Sequence, residues 1–169
     1  MILIVCGLAE VAAIIAARRP SHMITLLDPA SMIETPEGFA DRHLKLGVND
    51  IAEPMDGMVL PHEGLVADLL KFGATWDERA PMIVHCWAGI SRSSASAFVL
   101  ACERNPDVAE KTIALAMRKA ARHAYPNRRI VALADDMLSR KGRMVDAVEA
   151  MGDYEYSGVG TPFDFPARF

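Results

Sequence analysis

Four short apolar runs lie in the first half of the chain. Short runs rich in isoleucine, valine and leucine are typical of buried β-strands. The strands predicted on this basis are ILIVC (2–6), HMITLLD (22–28), HLKLGV (43–48) and APMIVHC (80–86).

Apolar positions at helical spacing lie between these runs and dominate the chain after residue 90. They predict helices at 9–19, 62–73, 91–104, 105–124, 127–142 and 143–151. Pro20 prevents the first helix from continuing, and Gly73 is the expected residue just after the second. Asn105 is the expected N-cap of the fourth helix, with Pro106 as its first residue.

Strands that alternate with helices, followed by a run of helices, predict an α/β domain. We expect a single domain over residues 1–169, with a central, largely parallel sheet of four to five strands flanked by helices and a helical C-terminal half. The last residues, about 152–169, are rich in glycine, proline and aromatic residues. They are predicted to form an extended coil on the surface of the core.

Composition and charge narrow the function classes. The 169 residues are 51% apolar and 24% charged, which suits one globular domain. The formal net charge of −4 argues against general nucleic-acid binding, although a local cluster of donors can still bind a small anion. Three cysteines predict no disulfide framework and a reducing compartment. No signal peptide or membrane span is expected, so the predicted location is the cytoplasm.

The stretch HCWAGISRSSA, residues 85–95, joins the fourth predicted strand to a predicted helix. A loop that ends at a helix N-terminus presents free backbone N–H groups, and Gly89 lets such a loop turn tightly. Arg92 adds a planar guanidinium suited to two phosphate oxygens. The same donors favour Cys86 as a thiolate, which is a nucleophile when it lies beneath a bound phosphate. The stretch therefore predicts a site for a tetrahedral oxyanion.

This stretch resembles the signature of the cysteine-dependent protein tyrosine phosphatases, most of all their dual-specificity-type branch, which includes bacterial members. The resemblance is carried by His85 directly before Cys86, by the central Gly89, and by Arg92 followed by Ser93. It covers roughly the middle third of the chain, and the flanks match only in pattern. It implies a phosphatase-type fold and a metal-independent hydrolase that needs no cofactor.

The resemblance also implies a role for each signature residue. Cys86 would be the nucleophile that passes through a phosphocysteine intermediate, and Arg92 would bind the phosphoryl oxygens and stabilise the transition state. Ser93 would hydrogen-bond the sulfur and help it leave in the second step. His85 would brace the loop and tune the thiol. The residues that would cradle the substrate phosphate are Trp87, Ala88, Gly89, Ile90, Ser91 and Arg92.

A general acid is also needed, because the leaving oxygen must be protonated. The family places an aspartate on a loop after a strand and before a helix, and KLGVNDIAEPMDGMVLP has that context. Asp50 is the first candidate, Asp56 the second and Glu53 the third, with a plain turn residue as the alternative for Asp50. The chain contains no glutamine. A glutamine-bearing loop, as in tyrosine-specific members, is therefore absent, which fits the dual-specificity-type branch.

Several interpretations stay open on the sequence alone. The substrate, expected to be a phosphorylated protein of the phosphotyrosine type, could be a small phosphomonoester or a phosphoinositide, although the signature loop contains no lysine. The chain could be a non-catalytic phosphate-binding module, or Cys86 could be a core residue and Ser93 only a helix N-cap. The segment YPNRR (125–129) falls where the family often has a further loop near the site, and no catalytic role is assigned to it. The remaining histidines show no metal-ligand spacing.

Overall fold

The computed structural model describes all 169 residues and contains five strands and six helices. The strands are β1 Ile2–Gly7, β2 His22–Leu27, β3 His43–Gly47, β4 Met82–Cys86 and β5 Phe163–Pro166. The helices are α1 Val11–Arg18, α2 Glu63–Thr75, α3 Arg92–Arg104, α4 Glu110–Ala120, α5 Arg128–Met137 and α6 Arg143–Glu149. All four predicted strands and all six predicted helices are present. None of the helices combines the length and the apolar character needed to cross a membrane.

The five strands form one sheet in the order β3-β2-β4-β1-β5. Strands β1 to β4 run parallel to one another, and β5 pairs antiparallel with β1. The three central strands, β1, β2 and β4, are buried along almost their whole length. Burial on both faces explains why they are continuous apolar runs in the sequence rather than alternating ones. The predicted α/β fold with a largely parallel sheet is confirmed.

The C-terminal segment departs from the predicted coil. Residues 163–166 form the edge strand β5, in which Phe163 and Phe165 are buried while Asp164 is exposed. This alternation is the period of a strand with one buried face. The strand is short and ends in Pro166, which lacks an N–H for the ladder, so its sequence is easily taken for a coil. The coil expectation is therefore wrong for these residues.

Helix α3 lies at the centre of the molecule, and every residue from Arg92 to Cys102 is buried. It belongs to the larger apolar cluster, which covers one face of the sheet and includes Cys86. The smaller cluster covers the opposite face with residues of α1 and includes Cys6. The N-terminus of α3 is therefore held at the carboxyl edge of β4, in the middle of the sheet.

The predicted end of the second helix is wrong. Gly73 lies inside α2, which continues to Thr75. A Cβ atom at residue 73 would lie 2.5 Å from Leu100 Cδ2, so the glycine allows α2 and α3 to pack closely. Its role is close packing rather than helix termination.

The predicted start of the fourth helix is also wrong, because α4 begins at Glu110. The Asn105 side chain does not cap it. Asn105 Nδ2 donates to the carbonyl groups of Ala101 and Ala167 at 2.8 and 2.9 Å, and its Oδ1 accepts from the N–H of Phe169 at 2.8 Å. Asn105 therefore ties the C-terminal end of the chain to the end of α3.

Candidate active site

Cys86 is the last residue of β4, and α3 begins six positions later at Arg92. Cys86 is only 2% exposed, and its sulfur forms a 3.2 Å hydrogen bond with Ser93 Oγ. The carboxyl edge of a parallel sheet is where loops of different strands meet and where ligands bind in such folds. The predicted loop therefore lies at the ligand-binding edge of this sheet.

The carbonyl groups of the loop accept hydrogen bonds from segments that surround it. The donors are backbone N–H groups, in the pairs Leu8 to Trp87 at 3.1 Å, Gly160 to Ala88 at 2.8 Å, Tyr125 to Ile90 at 2.9 Å and Asn127 to Ser91 at 3.2 Å. These carbonyl groups therefore point out of the loop, towards their donors. In a trans peptide the carbonyl group and the N–H of the next residue point in opposite directions, so the N–H groups that follow these four carbonyls face the inside of the loop. No backbone N–H of residues 87–91 donates to another group of the protein. These donors are free to bind an anion.

Gly89 is required by the shape of the loop. Its φ of +72° lies in the left-handed region, and a Cβ atom at this position would lie 2.7 Å from the backbone of both Cys6 and Gly7. Only glycine combines this conformation with so close an approach. The loop is thereby packed directly against the end of β1.

Arg92 enters the site from the first turn of α3 and is 4% exposed. Its NH1 donates to Asp28 Oδ1 at 2.9 Å and to the carbonyl of Val48 at 2.7 Å. Its buried Nε has no partner. One side of the guanidinium is thus fixed by the protein and the other keeps a donor for a ligand. Sequence reasoning missed Asp28, which lies 64 residues before its partner.

His85 is fully buried, and its Nε2 lies 2.6 Å from Thr25 Oγ1. The same hydroxyl lies 2.7 Å from Nε2 of His43. Because Thr25 has a single hydroxyl proton, it donates to one neutral imidazole and accepts from the other. Burial lowers the pKa of His85, and likewise that of His43, to about 4. The chain of three side chains links the base of the loop to β2 and β3.

Asp50 lines the same pocket as Cys86. Its Oδ1 accepts hydrogen bonds from Ser91 Oγ at 2.7 Å and from Asn127 Nδ2 at 2.9 Å. Asp56 and Glu53 are exposed and do not line the pocket. The structure therefore brings the first candidate acid to the loop and keeps the other two away from it.

The separation of Asp50 from Asp56 follows from the shape of their loop. The N–H of Asn49 donates to the carbonyl of Val59 at 2.9 Å, and the N–H of Val59 donates to Asn49 Oδ1 at 2.8 Å. These two hydrogen bonds join the ends of the loop at Asn49 and Val59, which form its neck. Asp50 lies just inside the neck, whereas Asp56 precedes Gly57, whose φ is +76°, in the turn at the far end.

Asn127 lies in the segment 125–129, which the resemblance places near the site, although the sequence assigned it no role. Its Oδ1 accepts from the N–H groups of Arg129 and Ile130, both at 3.1 Å, which makes it the N-cap of α5. Its Nδ2 is thereby left to donate to Asp50. Its place in that segment and at the start of a helical pattern indicated a nearby loop and a cap, but not a contact with a distant aspartate.

The pocket above the sulfur has a volume of about 500 Å³. Three charged side chains line it, namely Asp28, Asp50 and Arg92. Two exposed aromatic residues also line it, Trp87 from the signature loop and Tyr156 from the C-terminal segment. Such an arrangement can hold a tetrahedral anion above a thiol, with a carboxyl group beside it. No three His, Cys, Asp or Glu side chains are grouped so that they could hold a metal ion.

Two solved structures are similar to this chain over most of its length. The crystal structure of DUSP15 matches with a TM-score of 0.60 and 15% sequence identity, covering 88% of this chain and 89% of that one. The crystal structure of the Yvh1 phosphatase domain from Chaetomium thermophilum matches with a TM-score of 0.58 and 18% identity, covering 84% of this chain and 93% of that one. Neither a protein-family model nor a curated protein sequence matches the chain. The chain thus has the fold of these phosphatases.

Proposed function

We propose that this chain is a cysteine-dependent phosphomonoester hydrolase of the dual-specificity phosphatase type, acting first of all on phosphorylated proteins. The observation that carries the proposal is the set of free backbone N–H groups of residues 87–91 in the loop that follows the buried Cys86. Arg92 adds a guanidinium with an unpartnered Nε at the same place. Backbone donors together with a guanidinium are a receptor for a phosphoryl group.

In the first step, the Cys86 thiolate donates an electron pair to phosphorus and a sulfur–phosphorus bond forms. The bond between phosphorus and the ester oxygen breaks, and its electron pair goes to that oxygen. Asp50, which lines the same pocket, gives its proton to the departing oxygen. The loop N–H groups and Arg92 bind the non-bridging oxygens as their charge rearranges. The alcohol leaves, and phosphocysteine remains.

In the second step, water attacks phosphorus while the Asp50 carboxylate accepts a proton from the water. The sulfur–phosphorus bond breaks, its electron pair returns to sulfur, and inorganic phosphate is released. Ser93 Oγ lies 3.2 Å from the sulfur, where its hydroxyl can donate a hydrogen bond to the departing thiolate. This step restores both the thiolate and the protonated aspartic acid.

Two other functions are less well supported. A phosphoinositide or another polyphosphorylated ligand would bring several negative charges, but Arg92 is the one cationic residue that lines the pocket, beside Asp28 and Asp50. A non-catalytic phosphate-binding module would have no use for a thiol and a carboxyl group in one pocket. The three free cysteines fit a reducing compartment, and we propose the cytoplasm as the location.

Phosphate release from a substrate panel tests the proposal. The panel contains phosphotyrosine and phosphothreonine peptides, phosphoinositides and sugar phosphates, each compared by kcat/KM. Wild type should turn over the peptides best, and Cys86→Ala should turn over no substrate of the panel. The matched control is Cys102→Ala, which removes a buried thiol of α3 away from the site and should keep its activity. A preference for sugar phosphates would show that the substrate is a small phosphomonoester rather than a phosphorylated protein. Binding without hydrolysis by the wild type would show a phosphate-binding module.

A further inference from the structure

We propose that Tyr156, which the C-terminal segment 153–161 holds beside the active site, stacks on the aromatic ring of an aryl phosphate substrate. The inference rests on the proposed function and deepens it, because it assigns the selection of aromatic phosphomonoesters to a residue outside the signature loop. It follows from three observations: how the segment is attached, what Tyr156 contacts, and which charges line the pocket.

The segment is bonded to the rest of the molecule on both sides of Tyr156. The N–H of Glu155 donates to the carbonyl of Arg122 at 2.9 Å, and the N–H of Gly160 donates to the carbonyl of Ala88 at 2.8 Å. Ala88 belongs to the signature loop itself. The backbone around Tyr156 is therefore held in a fixed relation to the phosphate-binding loop.

Side chains add to this attachment. Tyr154 stacks on Tyr125 with ring centroids 4.4 Å apart and planes inclined by 30°. A Cβ atom on Gly160 would lie 2.5 Å from the ring of His123, so glycine allows the segment to lie close against that ring. Beyond residue 161, β5 continues the sheet. The segment is thus anchored along its length, and Tyr156 is presented from a defined place.

Tyr156, unlike Tyr154, has no aromatic partner. It is 82% exposed yet lines the pocket that contains Cys86. Trp87, which is 57% exposed, lines the same pocket from the signature loop. Two exposed aromatic faces at the entrance of a pocket with an anion receptor at its base suit a planar ring carrying one phosphate.

The charges of the pocket point to the same ligand. One cation, Arg92, lines it together with the carboxylates of Asp28 and Asp50. A ligand with a single phosphoryl group satisfies this cation, whereas further phosphates would meet the carboxylates. Phosphoserine also carries one phosphate but offers no ring to Tyr156. The aromatic residues, rather than the charges, would therefore separate phosphotyrosine from phosphoserine.

The test compares peptides with identical flanking residues that carry phosphotyrosine or phosphoserine, using wild type, Tyr156→Ala, Tyr156→Phe and Val159→Ala. Tyr156→Ala should lose about 3- to 10-fold in kcat/KM on phosphotyrosine, through KM, because the ring contact is present in both the ground state and the transition state. The phosphoserine peptide should be affected much less, and Tyr156→Phe should behave as wild type. Val159 is exposed on the same segment but does not line the pocket, so Val159→Ala should change neither substrate.

Equal losses on both peptides, or no loss on phosphotyrosine, would overturn the role of Tyr156 while leaving the phosphatase proposal intact. Failure of the wild type to hydrolyse either peptide would overturn the phosphatase proposal, and this inference with it. Melting temperatures of the variants identify a general loss of fold, which would lower both activities together. Calorimetric titration of phosphotyrosine into Cys86→Ser, with and without Tyr156→Ala, gives the same comparison without turnover. Equal affinities there would also contradict the stacking role.

Discussion

Asn127 Nδ2 donates a hydrogen bond to Asp50 Oδ1 at 2.9 Å, across 77 residues of sequence. The same oxygen accepts from Ser91 Oγ, which leaves the second carboxyl oxygen of Asp50 to carry the proton in the proposed mechanism. Asn127 also caps α5 with its own Oδ1. One side chain therefore fixes both the start of a helix and the orientation of the proposed general acid.

The two roles of Asn127 can be separated by comparing serine and alanine at this position. Serine still accepts hydrogen bonds as an N-cap, whereas alanine removes the cap at a cost of about 1 kcal/mol of stability. Neither side chain supplies an amide donor to Asp50. Both variants should lose roughly 10-fold in kcat on phenyl phosphate, a smaller loss than that of the acid itself, and only the alanine variant should unfold at lower urea concentration. Full activity in both would leave Asn127 as a cap alone.

Asp50→Ala should impair hydrolysis according to the leaving group. A phenol of high pKa leaves poorly without a proton, so phenyl phosphate turnover should fall by about 10²- to 10⁴-fold. An activated aryl phosphate, whose leaving group departs as an anion, should lose much less. Asp56→Ala is the matched control, because Asp56 is exposed in the distant turn of the same loop. The assignment is reversed if Asp56→Ala shows the leaving-group dependence, and Glu53 becomes the next residue to test if neither variant does.

Arg92→Lys should be severely impaired although the charge is kept. In the structure NH1 is bound to Asp28 and Val48, and Nε remains for the ligand. A lysine offers one point donor and cannot make both sets of contacts. We expect a loss of about 10²-fold or more in kcat, measured on an activated aryl phosphate. Asp28→Asn should be milder, because the carbonyl of Val48 still holds NH1. Near-normal kcat in Arg92→Lys would show that charge alone suffices.

The buried His85 predicts a specific loss of stability in acid. Its pKa is lowered to about 4 in the folded state by burial, against an ordinary value of about 6.5. Between these values the unfolded chain binds more protons than the folded one, so stability is present above about pH 6.5 and falls as the pH drops towards 4. The loss should reach about 2 kcal/mol at pH 5, from urea unfolding.

Other histidines whose pKa is lowered by burial, among them the half-buried His43, act in the same direction, so the test is a difference between variants. His85→Gln removes this titration and should make unfolding stability less dependent on pH between about 7 and 5. His62→Asn is the control, since His62 is exposed and asparagine keeps its N-cap position in α2. An unchanged pH dependence in His85→Gln would contradict the assignment of a neutral, buried imidazole.

Local features of the site could be predicted from the sequence because they lie close together in it. Cys86, Gly89 and Arg92 lie within one short stretch of sequence, at and between the end of β4 and the start of α3, and the apolar run before them marks a strand that is buried on both faces. The parallel sheet followed by helices was predictable because each strand and helix has its own local pattern of apolar residues. Asp50 was the first candidate because the family resemblance places the acid on the loop after this strand, and the structure places it in the pocket.

Contacts between distant segments could not be predicted in this way. Asp28, Thr25 and Asn127 reach the site through tertiary packing, and their own surroundings in the sequence resemble an ordinary strand and an ordinary helix cap. The contacts of the C-terminal segment could not be predicted for the same reason, since they join residues that are distant in the sequence. Its glycines and prolines indicate coil, but Gly160 is needed for a close approach to His123, and the backbone there binds Ala88.

The central claim is that Cys86 forms a covalent bond to phosphorus. It is tested most directly by rapid acid quench of Asp50→Ala reacting with an activated aryl phosphate, followed by mass spectrometry of the intact chain and its peptides. In this variant the first step needs no proton donor, whereas the second lacks its base, so the intermediate should accumulate. We predict one added phosphoryl group, located on Cys86 and absent from Asp50→Ala/Cys86→Ser. A phosphoryl group on another residue, or turnover without any phosphorylated protein together with turnover by Cys86→Ser, would contradict the mechanism.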